Sequence, residues 1–267
     1  MSLLVKARRS GRDIVQVTPQ SAGWRYVGFS AHRLARGESL ALETGDREYC
    51  VVILAGVVSV EAGSSQWREI GQRRSVFDDV PACSVYVPHH HRLTIKADSD
   101  AEVALCSAPG HGALPPRLIG PQAVTQSVRG EGSNTRYVSD ILPQSAEADH
   151  LLVVEVRTPG GHSSSYPPHK HDTDNLPQES FLEETYYHRL NPAQGFAFQR
   201  VYVDDRSLDE SMAVEDHDVV MVPRGYHPVV VPHGYESYYL NVMAGPTRRW
   251  HFRNDPAHEW MLRTNTP

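Results

Sequence analysis

Short apolar segments separated by turn residues run through most of this 267-residue chain. They are rich in valine, tyrosine, phenylalanine and leucine, and glycine, proline, aspartate and asparagine interrupt them. The clearest lie at 49–54, 57–61, 84–87, 92–96, 101–106, 151–157, 185–190, 195–203, 219–222, 229–231 and 238–243. One or two helical turns are expected at 177–183 and at 255–262. Many short strands with closely spaced turns are typical of sandwiches and barrels, so an all-β fold is predicted.

The two halves of the sequence resemble each other. In each half an acidic residue leads into a strand, a glycine turn and a returning strand follow, and a Val-x-Val-Pro turn then precedes histidine. Pro88 in the first half corresponds to Pro223 in the second. The segment 108–150 between them is rich in glycine and proline and is interpreted as a connector, with a possible exchanged strand at 124–128. A duplicated β unit is predicted, with domains at 1–115 and 116–267.

The charge balance and the cysteine content indicate the protein's cellular compartment and exclude some classes of binding partner. Lys and Arg number 26 against 32 Asp and Glu, a net charge of −6, which excludes a nucleic-acid binder that relies on bulk positive charge. No segment has the apolar length of a signal peptide or a membrane span. The three cysteines have no metal-binding or redox spacing, so buried reduced thiols are expected. A cytoplasmic protein with no nucleic-acid or membrane partner is predicted.

Histidine is frequent, at 15 residues, and two histidines stand in the segment YPPHKHD at 166–172. Alternate side chains of a strand share a face, so His169 and His171 can direct both imidazoles to one point. Imidazole binds metals and exchanges protons near neutral pH. Alone, such a pair equally fits two solvated loop histidines.

Further metal donors follow in the strand ETYYHRL, where Glu184, Tyr186 and His188 share one face. His227 comes after a tight turn in PRGYHPVVV and can return to the same layer. Together with the histidine pair, Glu184 and His227 would form a divalent metal site with positions left open for water or substrate. Because no donor is a cysteine, a catalytic or substrate-orienting metal is favoured over a structural zinc site.

This order of donors resembles the two motifs of the cupin superfamily. The resemblance implies a bicupin, two tandem jelly-roll barrels of the double-stranded β-helix type. It also implies that His169, His171, Glu184 and His227 bind one metal ion, with His227 as the distal histidine. On this interpretation 116–267 is the metal-binding cupin domain.

The carboxylate of the implied site has three candidates. An insertion at 172–183 separates the histidine pair from Glu184, which leaves Glu179 and Glu183 as alternatives. Glu184 is favoured because its spacing to the aromatic pair at 186–187 resembles the cupin pattern.

Nearly the whole chain is similar to the bacterial 5-deoxy-glucuronate isomerases of myo-inositol catabolism, relatives of the 5-keto-4-deoxyuronate isomerases. The similarity rests on PPHKHD (167–172), LEETYYHRLNPAQGFAFQRVYVDDRSLDE (182–210), DHDVVMVPRGYHPV (216–229) and YYLNVMAGPTRRW (238–250). It implies an aldose-ketose isomerase that converts 5-deoxy-D-glucuronate to 2-deoxy-5-keto-D-gluconate through a metal-stabilised enediolate. Zinc or manganese is the expected ion, and a homo-oligomer is expected. The alternatives are another cupin uronate isomerase, an iron-dependent cupin dioxygenase and a non-catalytic sugar-acid-binding bicupin.

The first half resembles the second without its full donor set. Glu48 and the cluster His89, His90 and His91 stand in matching places, but no His-x-His precedes Glu48. The domain at 1–115 is therefore interpreted as a degenerate cupin, with a second metal at 89–91 as the alternative.

Isomerisation needs a proton-transfer group, and Tyr186 and His188 are the catalytic candidates on the donor face, with a metal-bound hydroxide as the alternative. A sugar-acid substrate also needs a cation for its carboxylate, preferably an arginine. Arg200 in the strand FQRVY is the predicted substrate-binding residue, and Arg224 before the His227 turn is a second candidate. The weaker candidates are Lys170 and Arg206.

Overall fold

The computed structural model describes residues 2–263, and strands dominate them. The strands of the first half are β1 (Leu4–Val5), β2 (Asp13–Val17), β3 (Gly28–Leu34), β4 (Ser39–Glu43), β5 (Arg47–Ala55), β6 (Val58–Ala62), β7 (Ser65–Ile70), β8 (Cys83–Val87), β9 (Arg92–Ala97) and β10 (Ala101–Pro109). Those of the second half are β11 (Arg117–Ile119), β12 (Thr125–Arg129), β13 (Arg136–Leu142), β14 (Leu152–Thr158), β15 (Ser163–Ser164), β16 (His169–Lys170), β17 (Asp172–Asn175), β18 (Glu179–Phe181), β19 (Glu183–Asn191), β20 (Phe196–Tyr202), β21 (Asp209–Glu215), β22 (Val219–Val222), β23 (Val229–Val230), β24 (Glu236–Ala244) and β25 (Arg253–Asn254). The all-β prediction is confirmed.

Helices are few and short. The described range contains the α-helix α1 (Pro19–Ala22) and 3-10 helices at Pro121–Ala123, Gly132–Asn134 and Glu259–Arg263. None of the helices within 2–263 is long and apolar enough to cross a membrane.

The strand orders of the two halves correspond position for position. A six-stranded sheet has the order β11-β8-β5-β10-β3-β2, and a seven-stranded sheet has the order β1-β22-β19-β24-β14-β13-β12, with β12 as an additional edge strand. Each half also has a four-stranded sheet, β4-β9-β6-β7 in the first and β15-β23-β20-β21 in the second, and the second half adds the two-stranded sheets β16-β25 and β17-β18. This agreement supports the duplication inferred from the sequence.

Each half contributes an edge strand to the other half's sheet. β1 pairs with β22, with Leu4 opposite Val220, and β11 pairs with β8, with Leu118 opposite Val85. The segment predicted to exchange, 124–128, instead forms β12 in a hairpin with β13. Both large sheets therefore contain strands from either side of the proposed domain boundary between 115 and 116. That boundary stays a prediction.

The two large sheets pack back to back. One apolar cluster joins them, and within it the rings of Phe29 and Tyr187 lie 5.3 Å apart. Each half also has an internal cluster between its large and small sheets. Because side chains alternate along β19, Tyr187 packs in the shared cluster while Tyr186 packs inside the second half. The Tyr186 face of β19 thus points into the interior of the second half.

One predicted helical turn is a hairpin instead. The segment 177–183 contains β18, which pairs with β17, and Glu179 closes the hairpin by accepting the backbone N–H groups of Asp172 and Thr173. Strand pairing has overridden the weak helical pattern of this insertion. The segment 255–262 does overlap a 3-10 helix, Glu259–Arg263.

Candidate functional site

Strand β19 presents Glu184, Tyr186 and His188 to the interior, as strand alternation predicts. All three side chains are buried. β19 lies between β22 and β24, so neighbouring strands fix its position on both sides. Glu184 is further held by Asn241 of β24, whose Nδ2 donates to Glu184 Oε1 at 2.6 Å.

A glycine turn brings His227 to the same place. Gly225 has φ of 93°, and a β-carbon there would lie 2.4 Å from the carbonyl oxygen of Tyr202. Glycine is therefore required, both by the backbone conformation and by the close approach. The turn pairs Tyr226 with Tyr202 and leaves His227 fully buried.

Two histidine rings face the end of Glu184, and a third lies beside them. Glu184 Oε2 lies 3.1 Å from His171 Nε2 and 3.3 Å from His227 Nε2. The ring of His169 lies 4.8 Å from that of His227 and 6.3 Å from that of His171. Within residues 2–263, His171, Glu184 and His227 are the one group whose donor atoms lie close enough to share a metal ion.

The hydrogen bonds of these histidines show that the site suits a cation. His171 Nδ1 donates to the carbonyl of Leu182 at 3.1 Å, and His227 Nδ1 donates to that of Gly225 at 2.8 Å. A carbonyl only accepts, so in each neutral ring the proton is on Nδ1 and Nε2 carries a lone pair. Both lone pairs face the carboxylate of Glu184, and His227 Nε2 is buried without a hydrogen-bond partner. Acceptors converging in this way fit a divalent metal ion.

The pKa values agree with this description. Burial lowers the pKa of His169 and of His227 to about 3, so both rings are neutral at pH 7. Burial also acts to lower the pKa of His171, but the hydrogen bond and charge of Glu184 outweigh it and raise the pKa. A cation bound beside this carboxylate would compete with the proton that His171 takes up, because metal binding requires the neutral imidazole.

The alternative carboxylates have other contacts. Glu179 accepts backbone N–H groups in its own hairpin. Glu183 points to the opposite side of β19, where its two oxygens accept the N–H groups of residues 25–27. Of the three candidates, Glu184 is the one that lies against the histidine rings.

A cavity of about 410 Å³ opens beside the histidines. It is lined by His169, Glu184, Tyr186 and Asn241, and by the arginines Arg129 and Arg136. Its volume is in the range of small-molecule sites.

Tyr186 reaches the cavity with its hydroxyl held in place. Its Oη lies 3.0 Å from Ser165 Oγ, and Tyr239 packs beside it with ring centroids 4.9 Å apart. The Tyr239 hydroxyl is hydrogen-bonded to Ser164. Burial, reinforced by the charge of Glu184, raises the pKa of Tyr186 well above 10, so the hydroxyl keeps its proton at neutral pH.

The structure does not place His188 in this cavity. His188 is fully buried behind Tyr186, and its Nε2 donates to Gln199 Oε1 at 2.9 Å. Its Nδ1 is buried and has no hydrogen-bond partner. The His188 side chain therefore packs behind Tyr186 and does not face the cavity.

His188 should make the fold less stable in mildly acidic solution. Burial lowers its pKa to about 4, whereas a histidine in the unfolded chain titrates near pH 6.5. Below about pH 6.5 the unfolded chain binds a proton that the folded chain excludes, so stability falls as the pH falls towards 4. We expect His188 alone to cause a loss of about 2 kcal/mol between about pH 7.5 and pH 5.

Urea unfolding of the wild type and of His188→Gln at both pH values measures this contribution. The variant keeps a polar side chain opposite Gln199 but has no titrating group there, so its pH dependence should be smaller by that amount. The same pH dependence in both proteins would contradict the prediction.

The structure also does not place Arg200 in the cavity. Alternation along β20 directs Gln199 inward and Arg200 outward, where the guanidinium donates twice to Asp209 at 2.7 Å. The arginines that line the cavity are on β12 and β13, in the segment interpreted from the sequence as a connector.

The first half has no equivalent donor set. Val51 and Ile53 of β5 occupy the positions of Tyr186 and His188, and they lie in an apolar interior cluster. In the 89–91 segment, His90 is exposed and His91 Nδ1 is within 2.7 Å of the carbonyl of His89. Among the described residues this cluster does not form a metal-binding group.

Sequence reasoning missed Asn241 and Tyr239. The signal for Asn241 was a lone amide in the otherwise apolar strand YLNVMA, because a buried amide needs a polar partner. In β24 it lies opposite Tyr186, next to Glu184.

Proteins of known structure and sequence resemble this chain over almost its full length. The profile of the KduI/IolB family matches residues 3–261. The 5-deoxy-glucuronate isomerase of Geobacillus kaustophilus is 56% identical over 250 residues, which cover 94% of this chain and 91% of that protein. The 5-deoxy-glucuronate isomerase of Bacillus subtilis is 54% identical over 248 residues, which cover 92% of each.

Solved structures agree with the fold. The crystal structure of an IolB-like protein from Salmonella typhimurium superposes with a TM-score of 0.97 at 54% identity, covering 98% of this chain and all of that one. The oxalate decarboxylase of Lactobacillus farciminis has a TM-score of 0.68 at 12% identity, covering 100% of this chain and 91% of that one, a similarity of fold alone. The cupin-like oxalate decarboxylase neighbours and the duplicated sheets confirm the bicupin prediction. The chain belongs to the KduI/IolB family.

Proposed function

We propose that this protein is an aldose-ketose isomerase that converts 5-deoxy-D-glucuronate to 2-deoxy-5-keto-D-gluconate. The observation that carries the proposal is the identity of 52–56% to curated 5-deoxy-glucuronate isomerases over about nine tenths of the chain. The buried histidines and the adjoining cavity supply a site where such chemistry can occur.

The donor set would hold one divalent ion, and we propose zinc or manganese. His171, Glu184 and His227 would bind the ion, and His169, the neighbouring ring on the cavity wall, would be the fourth ligand. The bound ion supplies positive charge that stabilises negative charge on the substrate's oxygen atoms during isomerisation. Asn241 holds the carboxylate of Glu184 in place, and the Nδ1 hydrogen bonds fix the orientation of His171 and His227.

Isomerisation removes a proton from the carbon that bears the hydroxyl and delivers one to the aldehyde carbon, while the hydroxyl proton is transferred to the former aldehyde oxygen. We assign Tyr186 a role as hydrogen-bond donor, because its raised pKa keeps the proton on Oη. Ser165 orients that hydroxyl towards the cavity. A donor at this position stabilises an oxygen atom that gains negative charge in the transition state.

The proposal extends to the protein's cellular location and its oligomeric state. A cytoplasmic enzyme fits three free, buried cysteines, Cys50, Cys83 and Cys106. A homo-oligomer is proposed because exposed strand edges are commonly covered by association.

The test is an assay of the purified, metal-loaded protein with 5-deoxy-D-glucuronate, together with measurement of its metal content. Formation of the ketose without oxygen consumption supports the proposal. Oxygen uptake with a cleaved product would indicate a dioxygenase, and binding without conversion would indicate a sugar-acid-binding protein; either result would overturn it. Reaction in deuterium oxide should place solvent deuterium on the new CH₂OH carbon if the proton passes through a protein group that exchanges with solvent.

A further inference from the structure

Two arginines stand directly opposite each other on the wall of the cavity. Arg129 at the end of β12 and Arg136 at the start of β13 are partners in the antiparallel register of this hairpin, and both line the cavity. Like charges in directly opposed cross-strand positions repel each other and destabilise a hairpin. The molecule as a whole carries a net charge of −6, so this local pair of cations stands out.

Protein groups neutralise the pair only in part. Asp140 lies 3.7 Å from Arg129 Nη2, and no salt bridge joins Arg136 to an acidic residue among residues 2–263. Burial lowers the pKa of Arg136, and the charge of Arg129 acts in the same direction. An anion between the two guanidinium groups would relieve this repulsion.

Arg136 is held so that part of its guanidinium stays available. Its Nη1 donates to the carbonyl and to the side-chain oxygen of Asn134, at 3.1 and 3.2 Å. Within residues 2–263, its Nε and Nη2 have no hydrogen-bond acceptor. A β-carbon at Gly130 would lie 2.6 Å from Nη1, so the absence of a side chain there makes room for the guanidinium. The remaining donors form a fixed fork of the kind that binds a carboxylate at two points.

We propose that Arg136, assisted by Arg129, binds the substrate's carboxylate and thereby makes the enzyme specific for sugar acids over neutral sugars. This inference rests on the proposed isomerase function. It sets the orientation of the substrate: the carboxylate lies at the hairpin of β12 and β13, and the carbonyl end lies at Glu184 and the histidines. The specificity comes from the second half of the chain alone.

The test compares Arg136→Gln and Arg129→Gln with the wild type on two substrates. One is 5-deoxy-D-glucuronate, and the other is 5-deoxy-D-glucose, in which a neutral hydroxymethyl group replaces the carboxylate. Loss of a charged, two-point hydrogen bond should raise KM for the sugar acid about 10- to 100-fold in Arg136→Gln, with a smaller rise in Arg129→Gln. The kinetic constants for the neutral sugar should stay within about twofold.

Two further variants complete the design. Arg136→Lys keeps the charge but not the fork, so it should recover only part of the loss. Arg200→Gln removes an exposed arginine of the same half outside the cavity, and it should behave like the wild type. Equal losses on the acid and the neutral sugar would indicate a structural role for Arg136 and would overturn the inference.

Direct binding separates this inference from the proposed function. Calorimetric titration with D-glucuronate measures anion binding whether or not turnover occurs. If the wild type fails to isomerise 5-deoxy-D-glucuronate but binds D-glucuronate, and Arg136→Gln abolishes that binding, the function fails and the carboxylate site stands. If both proteins bind D-glucuronate equally, the carboxylate site fails even when the isomerase activity is present.

Discussion

Replacing Glu184 with glutamine is expected to abolish metal binding and to lower isomerase activity about 100-fold or more, while the protein stays folded. Glutamine has the size of glutamate, and its oxygen can still accept the hydrogen bond of Asn241. Its amide nitrogen would then donate to the Nε2 lone pairs of His171 and His227, which lie 3.1 and 3.3 Å from the replaced oxygen. The variant therefore satisfies both histidines without a cation, and it lacks the carboxylate charge that a divalent ion needs.

Elemental analysis of the purified variant, steady-state kinetics and thermal unfolding measure the three parts of this prediction. The matched control is Glu179→Gln, because the backbone N–H groups that Glu179 accepts belong to its own hairpin and glutamine can still accept them. This control should retain the metal and at least half of the activity. A Glu184→Gln protein with full metal content, or loss of metal in Glu179→Gln, would show that another carboxylate completes the site.

Much of the donor set could be predicted because period-2 alternation fixes which residues of a strand share a face. Glu184, Tyr186 and His188 do share one, and the glycine at 225 does return His227 to it. How far each side chain lies from the cavity could not be predicted. Alternation does not show that Tyr186 would stand between His188 and the cavity, since that depends on how β19 packs against β20.

The arginine predicted to bind the substrate's carboxylate shows where strand alternation does not identify the inward face. In FAFQRVY, the aromatic residues Phe196 and Phe198 mark one face as apolar, and Arg200 shares that face. The structure turns this face outward, leaves the Phe198 side chain 49% exposed and buries Gln199. The inward face carries the small or apolar residues Ala197 and Val201, and Gln199 between them is the hydrogen-bond partner of His188. The cavity arginines were missed because a glycine-containing segment with few apolar residues predicted a connector instead of a hairpin.

The duplication also assigns a different role to Glu48. It was matched with the metal-binding carboxylate, but in the structure it corresponds to Glu183. Glu48 of β5 accepts the backbone N–H groups of residues 149–151 in the second half. Glu183 of β19 accepts those of residues 25–27 in the first half. Each half therefore uses one buried carboxylate to bind a loop of the other, and this reciprocal pair helps to hold the two halves together.

Replacing Glu183 with alanine is expected to lower the free energy of unfolding by about 4 kcal/mol or more. The substitution leaves three backbone N–H donors without their charged acceptor in a poorly solvated interface. Glu48→Ala should have a similar effect, increased by loss of the hydrogen bond from the Tyr86 hydroxyl at 2.7 Å. Equilibrium urea unfolding at one fixed protein concentration measures both changes.

Two comparisons separate this structural role from a role in the site. Glu183→Gln keeps one carbonyl oxygen for the N–H groups of 25–27, so its loss of stability should fall between those of the wild type and of Glu183→Ala. Below its unfolding transition, Glu183→Ala should bind metal as the wild type does, whereas Glu184→Gln should show the reverse pattern of near-normal stability without metal. The two glutamates are adjacent in β19 but face opposite sides of the sheet. A stability change below about 1 kcal/mol in both Glu48→Ala and Glu183→Ala would mean that sheet packing and the exchanged edge strands β1 and β11 join the two halves without help from these carboxylates.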